Sequence, residues 1–210
     1  WPERGGVFVV DDGSDDATAD AATTAGAQVL RHDRNRGKGA ALRTGLRQAG
    51  AAGYDAAVTV DADGQHPPAE ALRLRSCGDP RALVIGVRDM AAARAPIANR
   101  LSNRFSNLAV SGYAGHPLRD TQCGLRRYPI ATTLGLGVVD DGYAFEAEVL
   151  IRAVAARVPI VQLPIRVIYP PEEQRITHFH SVRDPARIVR RVLLTSAVTR
   201  WAWLQSRLPS

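Results

Sequence analysis

The feature that most constrains this 210-residue chain is Ala57-Val58-Thr59-Val60-Asp61-Ala62-Asp63-Gly64-Gln65-His66, a short apolar run that ends abruptly in two carboxylates two residues apart. β-Branched residues running into Asp-x-Asp-Gly read as a buried parallel strand whose C-terminal end opens into a polar site. In an open α/β sheet that edge is where ligands bind. The chain opens with a second run of the same kind, Gly6-Val7-Phe8-Val9-Val10-Asp11-Asp12-Gly13.

Between and beyond these runs the pattern alternates. After Asp12, Ser14 is expected to cap a helix that stops at Gly26. Gln28 to Leu30 reads as a strand, Lys38 to Ala49 as a helix, and Tyr54 to Asp61 as the third strand. Pro67-Pro68 opens a short helix through Arg75, and Ala82 to Val87 is a further strand. From Arg94 to Tyr113 the spacing predicts a helix with apolar positions at Ile97, Leu101, Phe105 and Leu108, and a polar face rich in amides. Asp141 to Val158 reads as a helix. Ile160 to Tyr169 reads as a strand near a sheet edge, because Pro164 cannot donate to a ladder. This alternation predicts a single α/β domain over residues 1–184, with a mostly parallel sheet and helices on both faces. Residues 185–210 form a C-terminal amphipathic helix rich in arginine.

Composition supports one core, since 45% of the residues are hydrophobic. The net charge of +6 points to an anionic partner. Nearly all the positive residues are arginine, and Lys38 is the only lysine. Cys77 and Cys123 are far apart and form no ligand pair, which suits a reducing compartment and a cytoplasmic location. No signal-peptide pattern is visible, and no apolar run approaches the roughly 20 residues that span a bilayer.

Two aspartates at a strand end can both reach a hard cation, and Mg2+ takes one or two carboxylates and completes its shell with phosphate oxygens and water. Asp61 and Asp63 therefore suit a metal-bound diphosphate. The competing reading is an Asx-type turn. Asn35-Arg36-Gly37-Lys38-Gly39 suits an anion at a helix N-terminus, or is simply a glycine-rich helix start with a solvated lysine.

Together the blocks carry a resemblance. Val9-Val10-Asp11-Asp12-Gly13-Ser14, Asn35-Arg36-Gly37-Lys38-Gly39 and Asp61-Ala62-Asp63-Gly64-Gln65-His66-Pro67 resemble family 2 glycosyltransferases of the GT-A type. Asp120-Thr121-Gln122-Cys123-Gly124, Phe145-Glu146-Ala147-Glu148 and Thr177-His178-Phe179 with Val182-Arg183-Asp184 resemble the branch of dolichyl- and polyprenyl-phosphate glycosyltransferases and related small bacterial enzymes.

The resemblance implies a Rossmann-like sheet and inverting transfer of a sugar from a UDP- or GDP-sugar, with Mg2+ or Mn2+ as cofactor and a polyprenyl phosphate as the expected acceptor. It implies nucleotide contacts at Asp11, Asp12, Lys38 and Asp61, and metal ligands at Asp61, Asp63 and Gln65. Asp120 and Gln122 would face donor sugar and acceptor, Glu146 would lie near the acceptor, and His178 and Arg183 would face metal, phosphate or acceptor. For a hydroxyl acceptor, Asp120 or Glu146 would serve as the catalytic base. The family's first strand, which bears a Pro-x-(Tyr/Phe)-Asn-Glu segment, is absent from the chain as given and is expected to precede it.

Alternatives stay open at this stage. Arg100 and Arg104 fit a phosphate clamp or a plain solvated helix face, and Glu146 and Glu148 could be solvated. The terminal helix, with Trp201 and Trp203, fits either a peripheral contact at the inner face of the cell membrane or packing on the sheet. Val-Asp-x-Asp-Gly also resembles haloacid-dehalogenase-type phosphatases, but those expect a lysine downstream. Charge alone allows a nucleic-acid binder, yet no recognition motif supports one, so no nucleic-acid partner is expected.

Overall fold

The computed structural model describes residues 6–90, 97–168 and 183–205; among these, the side chains of 98, 99, 183–186 and 200–205 are not described. The elements are β1 (Phe8–Asp11), α1 (Thr18–Thr24), β2 (Gln28–Arg31), α2 (Lys38–Ala51), β3 (Ala56–Thr59), α3 (Pro68–Arg75), β4 (Leu83–Arg88), α4 (Ile97–Ala114), β5 (Arg126–Pro129), α5 (Ile130–Gly135), α6 (Phe145–Ala155), β6 (Ile160–Ile165) and α7 (Arg183–Gln205).

The α/β architecture expected from the alternation is present, but among the described residues the strands form two sheets rather than one mostly parallel sheet, and the larger is mixed. β1 and β2 pair in parallel, while a four-stranded sheet runs β3-β5-β4-β6. β5 lies antiparallel to both β3 and β4, and β4 and β6 are parallel. Only β5 breaks the parallel pattern: it enters after α4 and a long loop rather than by a βαβ crossover, so no rule of handedness constrains its direction. β6 lies at the end of the strand order, and Pro164 sits within it.

Alternate residues of β4 serve opposite faces, as the strand period requires. Leu83 and Ile85 join the larger core with Leu46, Tyr128, Phe145, Leu150 and Val192, whereas Val84 joins a smaller core with Leu74, Leu125 and Ile165. Helices therefore cover both faces of the four-stranded sheet. α6 is buried almost throughout, including Glu146 and Glu148, so the reading of these two as solvated residues is overturned.

Two local details differ from expectation. Ser14 does not cap α1; its N–H donates to Asp11 Oδ1 at 2.9 Å, and Asp16 Oδ1 accepts the Thr18 N–H at 3.0 Å. α4 packs Val110 into the larger core, but its first three turns face inward with polar residues. Asn103 and Ser106 on its polar face are buried, while Ile97, Leu101, Phe105 and Leu108 are 73%, 58%, 68% and 72% exposed. The reason is the hydrogen-bonding demand of residues 118–122, which α4 satisfies. Asn103 Nδ2 donates to Asp120 Oδ1 at 3.0 Å, Asn107 Oδ1 accepts the Thr121 N–H at 2.7 Å, Ser106 and Thr121 share a bond at 2.8 Å, and Ser111 Oγ accepts the Leu118 N–H at 2.8 Å.

Candidate active site

β1 ends in Asp11 and Asp12, which do different work. Asp11 is buried; its Oδ1 takes the Ser14 N–H and its Oδ2 lies 3.2 Å from Arg31 Nε. Asp12 fixes the glycine turn before α2, because its carboxylate accepts the N–H groups of Arg36 and Gly37 at 2.9 and 2.8 Å. His32 Nδ1 lies 2.6 Å from Asp12 Oδ1 and braces it. Gly37 has φ +98, and a Cβ there would strike the Asp141 carbonyl oxygen, so the turn requires glycine.

That turn delivers Lys38 to the end of β3. Its Nζ lies 2.9 Å from Asp61 Oδ1, 3.1 Å from Asp61 Oδ2 and 3.3 Å from Glu146 Oε1 in the first turn of α6. The end of β3 and the start of α6 thus meet through one ammonium, and β1 supports it through the turn that Asp12 holds. Burial disfavours the charged lysine, but Glu146 and Asp61 outweigh it and hold Lys38 above its ordinary value. Burial likewise opposes ionised Asp61, yet the Lys38 charge and hydrogen bond keep its carboxyl below the ordinary carboxylate value. Glu146 goes the other way: burial raises its carboxyl despite Lys38 and Arg126.

Asp63 and Gln65 lie on the exposed side. The Gln65 N–H donates to Asp63 Oδ1 at 3.0 Å, so the Asx-type turn exists alongside the acidic pair, and the Gln65 carbonyl accepts from the Ile168 N–H at 2.9 Å. Among the described residues, no group of three or more His, Cys, Asp or Glu is disposed to hold a metal. The oxygen-only set of Asp61, Asp63 and Gln65 still fits a hard cation, since Mg2+ needs only one or two carboxylates when phosphate and water supply the rest. His66 is buried with Nδ1 unpartnered, and burial lowers its pKa despite the nearby aspartates, so it is neutral at pH 7.

The loop before β5 closes the other side. Asp120 is buried at φ +55. It takes Arg88 Nε and Nη2 at 2.7 Å each, the Arg88 N–H at 2.9 Å and Asn103 Nδ2 at 3.0 Å. Gln122 bonds Ser102 of α4 at 3.0 Å. A Cβ at Gly124 would collide with the Asp61 carboxylate, and Thr59 Oγ1 donates to the Gly124 carbonyl at 2.8 Å. The loop crosses so close to Asp61 that any side chain at 124 would push its carboxylate aside.

Two arginines central to this arrangement carried no assigned role in the sequence. Arg126 is wholly buried and donates to the carbonyls of Cys123, Thr121 and Glu146 at 2.8, 2.7 and 2.8 Å, tying the loop to α6. Arg88 holds Asp120. The only signal for either was a charged residue beside an apolar strand run, which also describes an exposed strand end. Beside Asp120 lies a cavity of about 310 Å³ lined by Arg88, Met90, Arg100, Asn103, Arg104 and Arg119 among others. Arg100 and Arg104 are exposed on its rim. His178 lies outside the described residues, as do the side chains of Arg183, Trp201 and Trp203.

A family profile described as glycosyl transferase family 2 matches residues 5–127, more than half of the chain. The chain belongs to that family. This family 2 glycosyltransferase is 31% identical over 173 residues to the undecaprenyl-phosphate mannosyltransferase of Micrococcus luteus, covering 77% of this chain and 71% of the relative. It is 30% identical over 148 residues to the UDP-N-acetylglucosamine–dolichyl-phosphate N-acetylglucosaminyltransferase of Methanococcus voltae, covering 67% of this chain and 59% of the relative. Its fold is similar to that of glucosyl-3-phosphoglycerate synthase from Mycobacterium tuberculosis, crystallised with Mn2+, UDP-glucose and phosphoglyceric acid. The TM-score is 0.63 at 20% identity, over 91% of this chain and 67% of that one. The GT-A-type fold and the glycosyltransferase class expected from the resemblance therefore hold, and the phosphatase alternative falls.

Proposed function

We propose that this glycosyltransferase transfers a sugar from a nucleotide diphosphate sugar to a polyprenyl phosphate, with inversion at the anomeric carbon. The observation that carries this reading is the meeting of Asp61, Lys38 and Glu146 beside an arginine-lined cavity. The names of the two relatives, which act on undecaprenyl and dolichyl phosphate, support the same acceptor class.

In this reading Asp12 shapes the turn that receives the nucleoside, with Asp11 bracing it from below, and Lys38 orients Asp61. Asp63, Asp61 and Gln65 would hold Mg2+ or Mn2+, which supplies charge neutralisation on the departing diphosphate. Arg100, Arg104 and Arg119 line the cavity as phosphate-binding groups, Gln122 would face donor sugar and acceptor, and His178 and Arg183 are proposed to face metal, phosphate or acceptor. Asp120 is engaged by Arg88 and Asn103, and Glu146 by Lys38, so neither carboxylate stands free as a base. That favours an acceptor that is already an anion and needs positioning more than deprotonation. We assign Asp120 to orienting Arg88, and Glu146 to holding Lys38. An acceptor of this kind places the enzyme at the inner face of the cell membrane, although among the described residues no helix is long and apolar enough to cross a membrane.

The test is transfer of labelled sugar from UDP- and GDP-sugars, with Mn2+ or Mg2+, to undecaprenyl phosphate and in parallel to phosphoglycerate. Transfer to the lipid phosphate alone supports the proposal. Transfer to phosphoglycerate alone, or equal turnover without divalent cation, overturns it.

A further inference from the structure

α2 carries Lys38 at its head, yet it starts with no side-chain cap and no acid in its first turn. Its open N–H groups need acceptors from elsewhere. The loop before α6 supplies one: the Asp141 carbonyl accepts the Ala40 N–H at 3.1 Å. The fit is close, because a Cβ at Gly39 would strike the Asp140 carbonyl just as one at Gly37 would strike that of Asp141. Further along α2, Arg43 donates to the Asp140 carbonyl at 2.7 Å, pairs with Asp141 and lies over the Phe145 ring. One side chain shapes this loop. Asp140 Oδ1 accepts the Gly142 N–H at 2.8 Å, and the Asp140 backbone N–H donates to Glu148 Oε2 at 3.0 Å. Asp140 Oδ2 accepts from Arg191 Nε of α7 at 3.1 Å.

We propose that Asp140 and Arg191 are positioning residues for the transfer reaction: α7 clamps the loop that caps α2, and through that loop it sets where Lys38 stands against Asp61. The contacts run without a gap from Arg191 to Asp140, from the carbonyls of Asp140 and Asp141 to the first turn of α2, and from Lys38 to Asp61 and Glu146. Glu146 follows the same loop at the start of α6, so the loop governs both the seat of the lysine and one of its two carboxylates. A shift of the loop moves them together relative to Asp61 on the far side. Both proposed residues lie beyond residue 127, where the match to the family profile ends. The Asp140–Arg191 pair is itself a poor source of stability, since its side chains are 17% and 31% exposed. Its loss is therefore read at Lys38 rather than in melting. The inference rests on the proposed reaction for its kinetic readout alone.

Lys38 is the only lysine, so acylation by an amine-reactive ester, followed by peptide mass spectrometry, reports its protection at a single site. The variants are Arg191→Met, which keeps a long stem without the guanidinium, Asp140→Asn, which keeps an acceptor for the Gly142 N–H without the charge, and the two combined. Val161→Ala, packed against the smaller core, controls for general loosening. In the chain alone, without donor, metal or acceptor, both single variants label Lys38 about tenfold faster than wild type. The double variant is no faster than either single one, as one shared contact requires, and Val161→Ala labels at the wild-type rate. In transfer assays the same single variants raise the donor KM by about three- to tenfold and leave the acceptor KM unchanged. Wild-type labelling in both single variants, equal acceleration in Val161→Ala, or faster labelling with an unchanged donor KM overturns the proposal. Absence of transfer by the wild type, with labelling as expected, overturns the assigned reaction while still supporting the clamp on Lys38.

Discussion

Lys38 Nζ sits 2.9 Å from Asp61 Oδ1 and 3.3 Å from Glu146 Oε1, so the chain's only lysine joins the end of β3 to the start of α6. One cation balances two carboxylates in a largely buried setting. Removing it by Lys38→Met leaves those carboxylates facing each other without their counter-ion. With Lys38 and Asp61 each partly exposed, the expected loss is about 1–3 kcal/mol rather than the full value for a buried pair. Urea unfolding at neutral pH measures it, and an unchanged midpoint would show that the pair is idle in the folded state.

The same pair sets an acid limit. Asp61 is held below its ordinary 3.8, so the folded chain binds fewer protons there than the unfolded chain. Its contribution to stability is in place above the unfolded value and is lost as pH falls through the lower folded value. Stability should therefore decline between about pH 5 and pH 2 in the wild type. Asp61→Asn should flatten that decline. Unfolding midpoints across this range are the readout, and parallel curves for the two proteins would contradict the sign.

Asp63 is exposed and bonded only within its own turn among the contacts described. Asp63→Ala should leave the urea midpoint within about 0.5 kcal/mol of wild type. Metal-dependent transfer should drop by at least about 100-fold. Mn2+ binding followed by titration calorimetry gives a second readout, and full binding in the variant would remove Asp63 from the metal site.

Gly124 tests the crowding at Asp61. Gly124→Ala drives a methyl into the Asp61 carboxylate, so the side chain and its lysine must shift. A misplacement near 1 Å costs on the order of 100-fold in turnover, with a stability loss of about 1–3 kcal/mol from overpacking. Turnover equal to wild type would mean that the position of Asp61 is not critical.

Glu148 makes a contrast with Glu146 two residues away. It is fully buried and accepts the Val139 and Asp140 N–H groups at 3.4 and 3.0 Å and Arg152 Nε at 2.8 Å. Glu148→Ala should cost about 3–5 kcal/mol by stranding Arg152 and two amides. At roughly 2–4 °C per kcal/mol for a chain of this size, the melting temperature should fall by about 6–20 °C. Glu146→Gln should instead act mainly on turnover. The reverse ranking in thermal unfolding would exchange the two roles.

Much of the fold was legible in the chain. The strand ends at Asp11 and Asp61, the glycine turn at Gly37 and the edge position of β6 follow from apolar runs, turn residues and a proline, all of which act locally. The direction of β5 was not legible, because a strand reached through a long loop carries no handedness signal. Within the site, Asp12 was read as a ligand-facing acid, and nothing in the sequence showed that its carboxylate also binds the backbone of residues 36 and 37. A carboxylate looks the same in sequence whether its partner is a ligand or an amide 25 residues away.

By itself the sequence determined which residue types stand at which strand ends, and in what order, since hydrophobic period and turn chemistry depend on near neighbours. Tertiary structure alone decided that Lys38 faces both Asp61 and Glu146, that Arg126 fastens the loop of Asp120 to α6, and that α4 turns its amides inward. Each of these satisfies buried polar groups over distances that no local pattern encodes. For α4 that demand outweighed the ordinary inward pull on Phe105 and Leu108.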